Sequence, residues 1–156
     1  MNLERTHNMV LVASIMGHPA IWPHVRDDGA GECDPVDHDG FHWMRVDLDD
    51  GTAGGVFLVH ALNSYCYEMH TCLLPRMWGP EAARAAQMLL EWAFDETQCQ
   101  KMVTNVPAYN RAALRFARAG GMVQEGVNRA SFMRDGELVD LINLGITKQE
   151  WKKCQH

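Results

Sequence analysis

At 156 residues, with 47% hydrophobic and 22% charged side chains, the chain is sized for a single domain, 1–156, that can bury a sizeable core. A formal charge of −6 argues against a broad nucleic-acid footprint, which needs clustered Lys and Arg to neutralise phosphates. No run reaches the length of a membrane span, and the opening MNLERTHN lacks the apolar stretch of a signal peptide, so the expected location is the cytoplasm, away from membranes.

Met9, Leu11, Val12, Ile15 and Met16 form one apolar helical face, with Thr6 or Asn8 as N-cap and Gly17 and Pro19 as the stop. A short second helix over 21–25 precedes the run 26–40, whose Asp and Gly content predicts a loop. Residues 41–48 alternate as a strand that ends at Asp49-Asp50-Gly51. The continuous apolar run 55–62 suits a strand buried on both faces, and Asn63-Ser64 joins it to a strand over 65–74 by a two-residue hairpin. A helix over 81–96 follows, with Ala83, Ala86, Leu89, Leu90 and Ala93 at three- and four-residue spacing. Residues 100–106 return as a strand after that crossover, which is consistent with parallel pairing. Residues 107–119 predict a helix with Ala112, Ala113, Phe116 and Ala117 inward, stopped by Gly120-Gly121. A hairpin over 122–134 and 137–146 closes the chain at Asp135-Gly136, giving an α/β domain of about six strands.

The strand over 65–74 breaks through Leu74-Pro75 into Arg76-Met77-Trp78-Gly79-Pro80-Glu81-Ala82 and directly into a helix. Such a junction exposes unpaired N–H groups and a helix dipole that favour an anion. Pro80 removes one donor and Glu81 opposes an anion, and the same residues also suit a plain strand-to-helix connection. Alternation puts Glu68 and His70 on one face of their strand, as an acid–base pair or as a salt-bridged carboxylate beside a structural histidine. The loop segment with Cys33, Asp34, Asp37, His38 and His42 carries legitimate metal ligands at a spacing that matches no zinc pattern, and no metal is expected there. The five cysteines lack paired spacing and are expected to be reduced, with Cys66 and Cys72 facing one side of their strand as small hydrophobes.

Arg76-x-x-Gly79 after a strand resembles the pyrophosphate turn of the GNAT acyltransferases, with Glu81 where that family has Gly or Ala. The second half is similar to the family as well. The stretch 110–129, with Asn110, Ala113, Phe116, Gly120, Gly121, Gly126 and Arg129, is similar to its pattern Asn-x-x-Ala-x-x-x-Tyr-x-x-x-Gly and what comes after. The ribosomal-protein N-acetyltransferase branch is nearest in pattern, through Gly136, Asp140, Thr147, Glu150 and Trp151. His18-Pro19, Trp22-Pro23 and the run 70–75 also resemble uncharacterised GNAT-like proteins of tailed phages.

The resemblance implies the GNAT fold, a mixed and mostly antiparallel sheet of about six strands flanked by helices, its first strand absent or reduced to Asn2-Leu3-Glu4. It implies acetyl-CoA as co-substrate and an amine acceptor, a protein among the candidates. The cofactor would be held by Cys72, Leu73 and Leu74 along the pantetheine arm and by Arg76, Met77, Trp78, Gly79, Glu81 and Ala82 at the pyrophosphate. Asn110 would contact the cofactor arm or cap its helix. Glu68 and His70 would carry the acid–base chemistry. Phe116 falls where the family often has a Tyr that protonates the departing thiolate, which leaves Tyr109 as the nearby hydroxyl. Two readings follow: an N-acetyltransferase, or a catalytically weak GNAT-like phage protein of virion assembly or partner binding, in the cytoplasm of an infected bacterium. A homodimer is compatible with either.

Overall fold

The computed structural model describes residues 1–154. The elements run β1 (Asn2–Arg5), α1 (Met9–Met16), α2 (Trp22–Val25), β2 (Phe41–Asp47), β3 (Ala53–Ala61), β4 (Cys66–Leu73), α3 (Pro80–Glu96), β5 (Lys101–Pro107), α4 (Arg111–Ala119), β6 (Val123–Arg134), β7 (Glu137–Thr147) and α5 (Lys148–Cys154). They form one seven-stranded sheet in the order β1-β2-β3-β4-β5-β7-β6. Every neighbouring pair is antiparallel except β4 and β5. The first strand is therefore present, paired from Asn2 opposite Asp47 to Arg5 opposite Met44.

Alternation along the strands sorts side chains into two cores. Met44, Val46, Phe57, Val59, Met69, Met102, Leu144 and Ile146 face α3, α4 and α5, where Leu89, Phe94, Leu114 and Trp151 close the larger core. On the other face α1 supplies Val12 and Ile15 to a smaller cluster with Trp43, Val56 and Cys72. Helix α1 is only eight residues long, and Asn8 caps it by accepting the Leu11 N–H at 3.0 Å. It covers β2 to β4 at one end, and the small cluster includes no residue of β5, β6 or β7.

Two helices keep their expected inward face except at one alanine each. In α3 the buried positions are Ala82, Ala85, Ala86, Leu89, Leu90, Ala93 and Phe94, while Ala83 is exposed. In α4 Leu114 and Ala117 are buried, Phe116 is half-buried and Ala112 faces solvent. Alanine is too weakly apolar to set phase by itself, and the larger Leu and Phe side chains decide which stripe faces the sheet. The β3–β4 loop spans 62–65 rather than two residues, because the Asn63 carboxamide accepts the N–H groups of Tyr65 and Cys66 at 3.0 and 2.9 Å.

The β6–β7 turn is the two-residue one that Asp135-Gly136 predicts, with both φ values positive (51° and 78°). Asp28 reaches across from the 26–40 loop and accepts the N–H groups of Asp135 and Gly136 at 3.0 and 2.7 Å. Those two bonds, first that from Gly136 and then that from Asp135, hold the Asp28 carboxyl below the ordinary carboxylate range. A carboxylate whose folded pKa is depressed adds stability above its unfolded value, and that stability is lost as pH falls through the folded pKa. Asp28→Asn should thus lower the melting temperature at neutral pH, and its gap to wild type should narrow below about pH 4. A gap that stays constant down to the acid transition would show that the charge contributes nothing.

Candidate active site

Strands β4 and β5 share a ladder over only three residues, Cys66–Glu68 against Lys101–Val103. Past that point the Thr104 hydroxyl donates to the Met69 carbonyl at 3.1 Å. β4 runs on to Leu73 and β5 to Pro107, and no ladder joins them there among the described residues. The sheet therefore carries a split at its centre, with the Arg76–Ala82 turn at the end of one strand and Asn110 just beyond the other.

The backbone facing that split follows from strand alternation. Leu74 donates its N–H to Gly54 on the β3 side at 2.9 Å, which turns Cys72 the same way. Thr71 and Leu73 thereby face the split, and the Leu73 carbonyl already accepts the Trp78 indole N–H at 3.1 Å.

In the turn, Met77 and Trp78 spend their N–H groups on Leu74 and Pro75 carbonyls at 2.8 and 3.1 Å. Gly79, at φ 98°, opens α3, and Ala83 donates to its carbonyl at 3.2 Å. The first-turn N–H groups of Glu81 and Ala82 have no intrahelical acceptor. Met77 is fully buried and Trp78 is 59% exposed. The Arg76 guanidinium donates to the Ala53 carbonyl at 2.6 Å, which draws the turn onto the end of β3. His18, Leu74, Pro75 and Arg76 line an adjoining hollow of about 330 Å³. A second hollow, of about 450 Å³, lies between β1 and α3 on the opposite face of the sheet, and no predicted site residue lines it.

Where the split begins, on the α1 side of the sheet but beyond the part that α1 covers, polar side chains converge. Glu68 stands opposite His60 in the β3–β4 register, and His70 lies two residues further along the same face. The Asn105 carboxamide on β5 donates to Glu68 Oε1 at 2.6 Å and in turn accepts from Asn143 on β7. His60 and His70 approach at 3.3 Å between Nε2 atoms, with their rings stacked. Glu68 Oε2 lies 3.5 Å from His60 Nε2, and Glu68 Oε1 lies 4.0 Å from His70 Nε2. Burial holds the His70 pKa below the ordinary imidazole value, against the upward pull of Glu68 and with a further depression from His60.

The sequence placed Glu68 and His70 together, and the structure does so too. It adds His60, Asn105 and Asn143. His60 is hidden in the apolar run of β3, and only the strand register shows that it faces Glu68. Asn110 caps α4 by accepting the Ala113 N–H at 3.1 Å. Phe116 packs against the larger core, and Tyr109 is 37% exposed with the Arg134 guanidinium 5.6 Å from its ring centre. None of the five cysteines forms a disulfide, and burial lifts the Cys72 thiol to about 12, which leaves it inert.

This architecture is the GNAT fold. Spermidine N-acetyltransferase from Vibrio cholerae, in complex with CoA and spermine, superposes with a TM-score of 0.83 at 15% identity, over 97% of this chain and 97% of that one. A spermidine N-acetyltransferase chimera from Vibrio cholerae and hSSAT gives 0.81 at 15% identity, over 97% and 99% of the two chains. A probable acetyltransferase gives 0.64 at 21% identity, over 72% and 65%. No protein-family model matches the sequence, and no curated protein sequence matches it. No described helix is long and apolar enough to cross a membrane.

Proposed function

We propose that the protein transfers an acetyl group from acetyl-CoA to an amine. The observation that carries this reading is the Glu68 carboxylate, oriented by Asn105 where β4 and β5 part in a GNAT sheet. The thioester arm would lie in the split against the backbone of Thr71 and Leu73. The pyrophosphate would sit on the N–H groups of Gly79, Glu81 and Ala82, with the Arg76 charge beside it. The amine nitrogen attacks the thioester carbonyl carbon. A C–N bond forms, the C–S bond breaks with its electron pair on sulfur, and one nitrogen proton passes to Glu68. The thiolate then takes a proton from solvent or from Tyr109.

A polyamine is the acceptor class we favour. Two of the three structural relatives named above are spermidine acetyltransferases, and the chain's net charge of −6 favours a cationic substrate. Free-thiol release from acetyl-CoA with spermidine, spermine and peptide amines tests both parts. Release with none of them, although CoA binds, would replace this reading by a non-catalytic GNAT-like protein of assembly or partner binding. The absence of a hydroxyl at Phe116 and at its neighbour Ala117 favours that alternative.

The turn makes its own prediction. CoA that binds only the folded state should raise the melting temperature. Glu81→Ala, which removes a carboxylate beside the bound phosphates and keeps a good helix former, should tighten CoA by a few-fold, matching about 0.3–1 kcal/mol at a helix N-terminus. Weaker binding in Glu81→Ala, measured by calorimetry, would place the pyrophosphate elsewhere.

A further inference from the structure

We propose that His60, Glu68 and His70 form a three-ligand site for a divalent zinc-class cation. Ligand atoms about 2.0–2.1 Å from a tetrahedral zinc ion stand about 3.3 Å from one another. Here the two Nε2 atoms stand 3.3 Å apart, Glu68 Oε2 lies 3.5 Å from His60 and Oε1 4.0 Å from His70, and one ligand atom from each residue lies within 4.8 Å of the other two, a spread that a small side-chain adjustment brings to the tetrahedral spacing. A neutral imidazole Nε2 either donates one bond or accepts, yet His60 Nε2 faces both an imidazole nitrogen and a carboxylate, and both carboxylate contacts are too long for strong hydrogen bonds. A single cation at the centre would satisfy all three groups.

The scaffold suits such a role. His60 and Glu68 are a cross-strand pair, and His70 is two residues on, so the sheet ladder fixes their mutual placement. Asn105 and Asn143 orient the carboxylate from behind, the arrangement that tunes a metal ligand. Side-chain exposures of 24% for His60, 13% for Glu68 and 46% for His70 leave a rim open to solvent for a fourth ligand. Two imidazoles with one carboxylate select zinc-class transition ions over magnesium or calcium, which prefer oxygen ligands.

The consequence for transfer rests on the proposed role of Glu68. A bound ion occupies the carboxylate that would accept the amine proton, so occupancy should inhibit acetylation reversibly.

The full-length protein should bind one Zn²⁺ in competition with a chromophoric chelator and give tetrahedral d–d bands with Co²⁺. His60→Gln and His70→Gln, each checked for an unchanged melt, should lose the bands and weaken Zn²⁺ binding by more than about 100-fold. Asn105→Ala should weaken it by about 10–100-fold. Absence of one-to-one binding, or wild-type affinity in both His variants, overturns the site; the latter would place the ion elsewhere on the chain. Inhibition by Zn²⁺ should appear at the same concentration as binding and reverse with chelator. Binding without inhibition would leave the metal site standing and remove Glu68 from the transfer step.

Discussion

Glu68→Gln is expected to lower the kcat/KM for acetyl transfer by about 10²–10⁴-fold, the usual cost of losing a positioned acid or base. The substitution is close to isosteric. The Gln carbonyl oxygen can still accept the Asn105 carboxamide bond that Glu68 Oε1 accepts at 2.6 Å, so the side chain keeps its place. It cannot take a proton. Fold and CoA affinity should stay at wild-type values, the first read by thermal melting and the second by calorimetry. Asn105→Ala should have a smaller effect, because the carboxylate remains but is less well oriented. Turnover in Glu68→Gln equal to wild type would eliminate Glu68 as the proton acceptor. Phe116→Tyr tests the other end of the reaction. If thiolate departure limits turnover, restoring a hydroxyl at the half-buried Phe116 should raise the rate. No change would leave proton donation to solvent or Tyr109.

The contrast between Glu68 and His60 shows what the sequence can carry. Glu68 and His70 are i, i+2 on a strand that is plain from composition, so their common face follows from alternation within one element. His60 joins them only through the β3–β4 register, and a one-residue slip would turn it to the opposite face. That register depends on a four-residue loop shaped by the Asn63 side chain, where the dipeptide Asn63-Ser64 suggests a tighter turn.

The one misplaced alanine in each helix, Ala83 and Ala112, has a related reason. In α3, Ala82, Ala83, Ala85 and Ala86 offer several stripes of nearly equal hydrophobicity, and the sheet beneath selects one. Strand β1 is only four residues long and reads weakly in isolation, yet it is stabilised by its ladder to β2. The family resemblance fares best where motif and backbone coincide. The strand-turn-helix after β4, the crossover to β5 and the Asp135-Gly136 turn are all where the residues place them.

Met77→Ala should destabilise the protein by about 2–5 kcal/mol, the range for truncating a buried Met or Leu. Met77 is fully buried in the larger core, although it belongs to a turn whose neighbour Trp78 is exposed. Its side chain lies over Gly54, where a Cβ would stand 2.5 Å from Met77 Sδ and push the thioether aside. The turn is thus pinned from below by one apolar side chain and from above by the Arg76 and Trp78 bonds to Ala53 and Leu73. For a domain of this size the melting temperature should fall by roughly 2–4 °C per kcal/mol. Met77→Leu, which nearly conserves volume, should cost less than about 1.5 kcal/mol. Loss of the anchor should also loosen the Gly79–Ala82 N–H groups, so CoA should bind Met77→Ala more weakly than Met77→Leu at a temperature where both are folded. Equal CoA affinity in the two variants would show that the turn is a structural connection and that the phosphates are held elsewhere.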